Sequence, residues 1–512
     1  MSLSSISPLH TIRYVARAAA QLLPSMLQPA ILSDTWSQST PEPSSSRSTQ
    51  SKFNPADYDV DLASGFLPKE PPLARLPPAF DLWEDALDVA NRPDGVLSLG
   101  EDMSQEALAK RESSRKWREN IASAPVLSTT SLNDDVRLLR RAHHVLAFLV
   151  HFYVHSTPPA QPATPMLVPK SLAIPLVEVS RVLNIAPVLT FADTVLWNYA
   201  LIDSSKPLSA DNIRSQTLFT ASSKAARDEQ NFYLCCLGIE MRGIEALNLI
   251  VKYQNMSCVS SPHAIAEIQG ALGRLSNVIN DLTSILMSVR CSCDPHAFYF
   301  AIRPWFRGSD AGGPSSPGWI FEGVGNSKDL ELSGPSAGQS AMIHSLDMFL
   351  DVDHKLEKPR LPAPSELNKK ADRSFMQRMQ RYMPGSHQQF LNALGSSANP
   401  LRELVVRTPA LHKSYDACVL ALKNFRDAHM RVACLYVVSM SRSEAAQDAA
   451  RKAGCPVAAM FDKMRQDGEL PAPPATERKV VRGTGGNELS NLLKACRDAT
   501  TRALVSENEG KR

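Results

Sequence analysis

Seven aliphatic side chains limit most strongly what this chain can fold into: Ile265, Ile268, Leu272, Leu275, Ile279, Leu282 and Leu286. Their steps alternate between three and four, which puts all seven on one face of a helix. Ser261-Pro262 just before them supplies an N-cap and a proline at the first helical position. A second stripe has the same rhythm: Tyr415, Cys418, Leu422, Phe425, His429, Val432 and Tyr436, within a helix expected over 411–439. Period-2 alternation is almost absent, and no segment repeats. The expected fold is therefore mainly α.

Other helices are expected over 78–122 with breaks, from the capping-box-like Ser131-Leu-Asn-Asp134 to Val154, over Leu176–Leu183 after Pro175, over Phe191–Leu201 and over Phe232–Lys252. Asp347–Asp351, Phe375–Met383, Gln388–Leu394 and Leu489–Leu504 continue the series, with a break at Pro362–Pro364 and an excursion at 442–475. Residues 36–55 are rich in Ser, Thr and Pro and too poor in apolar side chains to offset the entropy of ordering. The expected organisation is a disordered tail (1–57), a small helical domain (58–224) that caps, and a large helical bundle (225–508). Met1–Leu32 has no acidic residue but carries Arg13 and Arg17, a faint transit-peptide character. A variable tail and a cytoplasmic chain are the expectation, with a mitochondrial location as the alternative.

Composition narrows the partners. Lys+Arg 55 against Asp+Glu 52 leaves a net charge of +3 over 512 residues, which argues against nucleic acid as the main partner. No apolar run reaches the length of a membrane span, and His151 interrupts the nearest approach, Val145–Val154. Nine cysteines, an odd number without paired spacing, fit a reducing compartment.

Candidate chemistry is sparse. His429 sits inside an apolar stripe, so it is either a core histidine bonded to a backbone carbonyl or an axial ligand of haem iron, which is commonly held by one imidazole from an apolar helix face. His143, His144, His151 and His155 lack the partner motifs of a zinc site and are expected on a half-exposed face. Cys235-Cys236 and Cys291-Ser-Cys293 have the wrong spacing for zinc or CxxC redox chemistry. Arg303 lies among five aromatic rings in Phe298-Tyr-Phe-Ala-Ile-Arg303-Pro-Trp-Phe306. It suits a flat apolar ligand with one carboxylate, or an internal salt bridge to an acid such as Asp347. The glycine loops at 323–325, 333–340 and 484–486 lack phosphate-loop and dinucleotide fingerprints, although free N–H groups ahead of a helix at 484–486 could hold a carboxylate. No nucleophile elbow and no pair of carboxylates stands out.

Taken in order, these segments resemble the indoleamine 2,3-dioxygenases. The match runs from Leu172-Ala-Ile-Pro175 through Val188-Leu-Thr-Phe-Ala-Asp193 and Trp197-Asn198 to Phe298–Arg303 and Phe321-Glu-Gly-Val324. It continues through Ser336-Ala-Gly-Gln-Ser340 with Asp347, Arg381-Tyr-Met-Pro384 with His387, Tyr415-Asp-Ala-Cys418, Arg426-Asp-Ala-His429 and Thr484-Gly-Gly486. The resemblance spans about residues 60–505.

The resemblance implies a monomeric haem b enzyme that inserts both atoms of O₂ across the indole C2–C3 bond of L-tryptophan, giving N-formylkynurenine. It makes His429 the iron ligand, Arg303 the clamp on the tryptophan carboxylate, and Phe232 and Phe298 the indole walls, with Phe306, Phe191 and Cys236 beside them. Ser336 and Ala337 would approach haem and substrate, Arg426 would face a propionate with Asp347 near it, and Thr484 would close over the amino-acid end. Such chemistry needs orientation and a dry pocket more than a protein base. Departures from the family pattern are Phe191 for Tyr, Thr194 for Cys, Cys236 for Ser, Asn487 for Thr and Pro335 for Gly; the last two bear on tryptophan affinity and loop closure. The alternative reading is a low-turnover haem- or gas-binding paralogue.

Overall fold

A computed structural model describes residues 52–160, 164–312, 316–354, 375–443, 482 and 489–506. The tail up to residue 51, the Pro362–Pro364 break, nearly all of the 442–475 excursion and Thr484 lie outside the described residues. The fold is mostly helical, with two small two-stranded sheets among the described residues. The helices used below are α1 (Asp81–Ala90), α2 (Arg111–Ser123), α3 (Val136–Ser156), α4 (Lys170–Leu183), α5 (Ala226–Gln254), α6 (Pro262–Ser292), α7 (Ala341–Phe349), α8 (Gly385–Gly395), α9 (Pro409–Ala433) and α10 (Leu489–Arg502). Strands β1 (Met166–Val168) and β4 (Trp319–Phe321) pair in parallel, and β2 (Tyr199–Leu201) and β3 (Ile213–Ser215) pair antiparallel.

The α6 stripe does what its spacing requires. Ser261 caps the helix by accepting from the Ala264 N–H at 3.2 Å, with Pro262 in the first turn. Six of the seven stripe residues are buried and Ile265 is partly buried. The helix lies along α9 and α5. Small side chains let α6 and α9 approach closely: Cys418 Sγ donates to the Leu272 carbonyl at 3.0 Å, and Ser276 Oγ donates to the Ala417 carbonyl at 3.3 Å. Each fully buried Leu in this seam contributes about 2 kcal/mol.

A second core is built on α3, which is apolar nearly all round. It joins α1, α2 and α4 to Phe298, Trp305, Phe306, Tyr382 and Tyr436 from the second half of the chain. The two halves thus share a core at the segment that carries Arg303.

Four local expectations are corrected. Residues 52–57 fall in the stretch expected to be disordered, yet Asn54 caps a 3-10 turn over Pro55–Tyr58, and Phe53 meets Phe390 at 5.3 Å. Helix α3 begins at Val136, where the Asp135 side chain accepts from the Arg137 N–H, rather than at Ser131. Pro175 lies inside α4, where it forfeits one hydrogen bond in the second turn and not a whole helix end. The expected helix over Phe191–Leu201 is a π-turn, Ala192–Leu196, followed by β2. Asp193 sets that turn, because its buried carboxylate accepts from the Thr190 N–H and Thr190 Oγ, both at 2.8 Å, and pairs with His143 at 2.7 Å.

Candidate active site

The buried stripe of α9 opens at His429. Tyr415, Cys418, Leu422 and Phe425 are buried, His429 and Val432 are half-buried, and Tyr436 is buried again. The opening is therefore a local gap in an otherwise covered face. The His429 ring makes no hydrogen bond to any described residue, unlike a core histidine tied to a carbonyl. Burial first, and then Arg426, lower its pKa. That keeps the imidazole neutral, the form that coordinates a metal. The residues present therefore fit a haem held through His429.

Beyond His429 the helix turns into a π-segment, Cys434–Ser439, in which Tyr436 is two turns further along the same face. Tyr436 Oη donates to the Val289 carbonyl of α6 at 3.0 Å and to that of Cys293 just past the helix at 2.6 Å, and its ring meets Phe298 edge-on at 5.6 Å. Phe298 opens a second π-turn, Phe298–Ile302, which runs into a 3-10 turn, Arg303–Phe306. Phe232 from α5 completes an aromatic box, 4.9 Å from Phe298 and 6.2 Å from Phe306. Cys236 follows one helical turn after Phe232, partly buried. Burial pushes its thiol well above the usual range, so it is a neutral wall.

Arg303 begins the turn that ends at Phe306, in the segment that supplies two rings of this box. Tyr299 lies 5.5 Å from its guanidinium carbon, and Nη2 donates to the Arg482 carbonyl at 2.6 Å. It has no carboxylate partner among the described residues. Burial, with Arg307 nearby, lowers its pKa to about 10, so it remains a cation at neutral pH. The alternative of a salt bridge to Asp347 is overturned, because that acid is engaged elsewhere. Thr484 itself is not described; Arg482, two residues before it in sequence, contacts Arg303 through its carbonyl.

The central loop, 333–340, is held from several sides. Ser336 caps a 3-10 turn (Ala337–Gln339) by accepting from the Gly338 N–H, and Ala337 is exposed at its tip. Gln339 is buried; its Nε2 donates to the Gly334 carbonyl at 2.7 Å and its Oε1 accepts from the Phe191 N–H at 2.8 Å. Phe191 is thereby fixed behind the loop, in the cluster that contains Leu237 and touches Cys236. Gly334 has φ +74, and a Cβ there would stand 2.4 Å from the Phe306 carbonyl oxygen. Only glycine lets the loop run this close to the aromatic segment.

Arg426 is one turn before His429. Its Nη2 donates to both oxygens of Asp347 at 2.6 and 2.7 Å, and Nη1 donates to Thr500. His354 also pairs with Asp347, at 2.8 Å. Asp347 sits low at about 2: its two cations outweigh the desolvation that would raise it. His354 rises to about 9 because the carboxylate outweighs its own burial. Arg426 thus keeps Nε and one hydrogen of Nη1 without a described partner, open to a further acceptor.

The second histidine group is not half-exposed as expected. His143, His144 and His151 are fully buried and His155 partly, each bonded to a backbone carbonyl. Tyr436, Gln339, Tyr299 and His354 were not among the expected site residues. Tyr436 had a signal in closing the stripe of His429, and Tyr299 in the aromatic run around Arg303.

An α-helical frame that carries one neutral imidazole without a described hydrogen-bond partner, one guanidinium without a described carboxylate partner, and a cluster of aromatic walls is the build of a cofactor-dependent enzyme for small aromatic acids. The sequence model of indoleamine 2,3-dioxygenase matches residues 54–503, and the chain belongs to that family of haem dioxygenases. It is 30% identical to the indoleamine 2,3-dioxygenase of Saccharomyces cerevisiae over 470 residues, 89% of this chain and 94% of that one. Indoleamine 2,3-dioxygenase 1 of Mus musculus is 28% identical, covering 88% and 95% of the two chains. The 6-hydroxytryptophan 2,3-dioxygenase of Fusarium equiseti is 27% identical, covering 76% and 87%. The chain is thus a 2,3-dioxygenase of the tryptophan and indole class. No helix among the described residues is long and apolar enough to cross a membrane.

Proposed function

We propose that the chain holds haem b through His429 and converts L-tryptophan and O₂ to N-formylkynurenine. The observation that carries the substrate reading is Arg303, a desolvated cation with no carboxylate partner among the described residues, in the segment that supplies Phe298 and Phe306 to an aromatic box. An amino acid with a large flat side chain supplies both missing parts, a carboxylate for the guanidinium and a ring for the box. Haem, when bound, supplies the iron at which O₂ is activated.

The chain's own residues bind, orient and exclude water. Arg303 fixes the carboxylate end through the donors that the Arg482 carbonyl leaves open. Phe232, Phe298 and Phe306 confine the indole so that its C2–C3 edge has one orientation. Cys236, as a neutral thiol, keeps the wall dry, and the Gln339 tie holds Ser336 and Ala337 at the other side. Asp347 anchors Arg426 one turn from His429 and so steadies the helix that presents the ligand. The test is turnover by the haem-loaded, reduced full chain: formation of N-formylkynurenine from L-tryptophan supports the reading, and haem retention without product refutes it in favour of a haem-binding module.

A further inference from the structure

His151 and His155 are not used by the chemistry above. They lie one turn apart on α3 and therefore share a face. His151 Nδ1 bonds the Trp305 carbonyl at 2.7 Å, and His155 Nε2 bonds the Arg307 carbonyl at 2.8 Å. Those carbonyls bracket Phe306, at the end of the 3-10 turn that begins with Arg303. Carbonyls at the end of a turn lack an internal donor and need an outside one. We propose that His151 and His155 are positioning residues for tryptophan binding, which hold the backbone on both sides of Phe306 and so fix Arg303 against the aromatic box. This inference rests on the tryptophan reading above.

Three observations support it. A carbonyl can only accept, so His151 must carry its proton on Nδ1 and His155 on Nε2. His151 Nε2 is then a buried acceptor with no partner among the described residues, in a nest of rings that includes Phe219 and Trp319. An unpaired buried nitrogen costs stability, so packing alone does not account for an imidazole here, whereas its donor to the Trp305 carbonyl does. Finally, Trp305, whose carbonyl His151 holds, is itself clamped by a parallel stack on Phe219 at 5.5 Å and 9°. The segment is thus pinned by α3, from the first half of the chain. Burial keeps both rings neutral, His151 falling to about 4.

The test compares deletion of each donor with its replacement. Asn places an amide N–H near the position of Nδ1, and Gln places one near that of Nε2. In the haem-loaded full chain, His151→Leu and His155→Leu are expected to raise KM for L-tryptophan roughly tenfold, with kcat and the haem spectrum nearly unchanged. His151→Asn and His155→Gln should restore KM to within about twofold of the parent, because the lost term is one donor. A merely structural role would lower thermal stability and leave KM alone. Unchanged KM in the Leu variants, or Asn and Gln variants as impaired as the Leu ones, overturns the proposal. If His151→Leu fails to fold, the half-buried His155→Leu carries the same comparison. Failure of the unsubstituted protein to turn over tryptophan would instead refute the function on which the inference stands.

Discussion

Replacing Arg303 by Met should move stability and function in opposite directions. The side chains have similar length, so the change removes charge and donors while filling much of the same space. Folding holds the guanidinium near 10 against 12.5 for the free group, chiefly through burial. Fully counted, that difference is about 3 kcal/mol of penalty on the charged form. Arg303 is only partly buried, so roughly half of it survives solvent screening. Losing the bond to the Arg482 carbonyl costs about 1 kcal/mol. The net expectation is a variant as stable as the parent or more stable by about 1 kcal/mol. Tryptophan, by contrast, loses a charge-assisted pair for its carboxylate, and KM should rise at least about a hundredfold. Urea unfolding of the haem-loaded protein measures the first quantity, and steady-state turnover with unchanged haem absorbance the second. A variant destabilised by about 2 kcal/mol, or one with parental KM, would refute the assignment of Arg303 as a cation kept for the substrate carboxylate.

His429→Ala should lose most of its haem, read from the Soret absorbance after desalting; a parental spectrum would remove His429 as the ligand. The Asp347 tie gives a two-sided pH profile. Asp347 is depressed from 3.8 to about 2, so its contribution is present above about pH 4 and lost as pH falls toward 2. His354 is raised from 6.5 to about 9, so its contribution is full below about pH 6.5 and lost as pH rises through 9. Urea unfolding should therefore show a loss of about 2 kcal/mol between pH 6 and pH 9.5, discounted for the partial exposure of His354, and Asp347→Asn should flatten that limb. Gly334→Ala should cost more than about 2 kcal/mol and raise KM for tryptophan, because the added Cβ strikes the Phe306 carbonyl at a left-handed φ. Thermal unfolding and kinetics on that variant check both.

What could be read in the sequence was whatever repeats along a regular helix. The Ile265–Leu286 stripe and the Tyr415–Tyr436 stripe fixed the bundle and put His429 on a face, and the aromatic run from Phe298 marked Arg303. What could not be read were features set by distant partners. The π-turns at 192–196 and 298–302 depend on contacts such as Asp193 with His143, which lie 50 residues apart. Burial of His143, His144 and His151 on α3 depends on the carbonyls that receive them, including one from a loop 154 residues later. Asp347 had two possible cations, and only the fold chooses Arg426 over Arg303, because α7 packs where α9 and α10 pass. The site was legible as residue types and not as their pairing.

The most direct test of the account is a single-turnover reaction of the reduced, haem-loaded full chain with L-tryptophan under ¹⁸O₂, with the product read by mass spectrometry. The account predicts N-formylkynurenine with both inserted oxygen atoms labelled. Unaltered tryptophan beside a fully haem-loaded protein, or a product labelled at only one oxygen in water-exchange-controlled conditions, would contradict it.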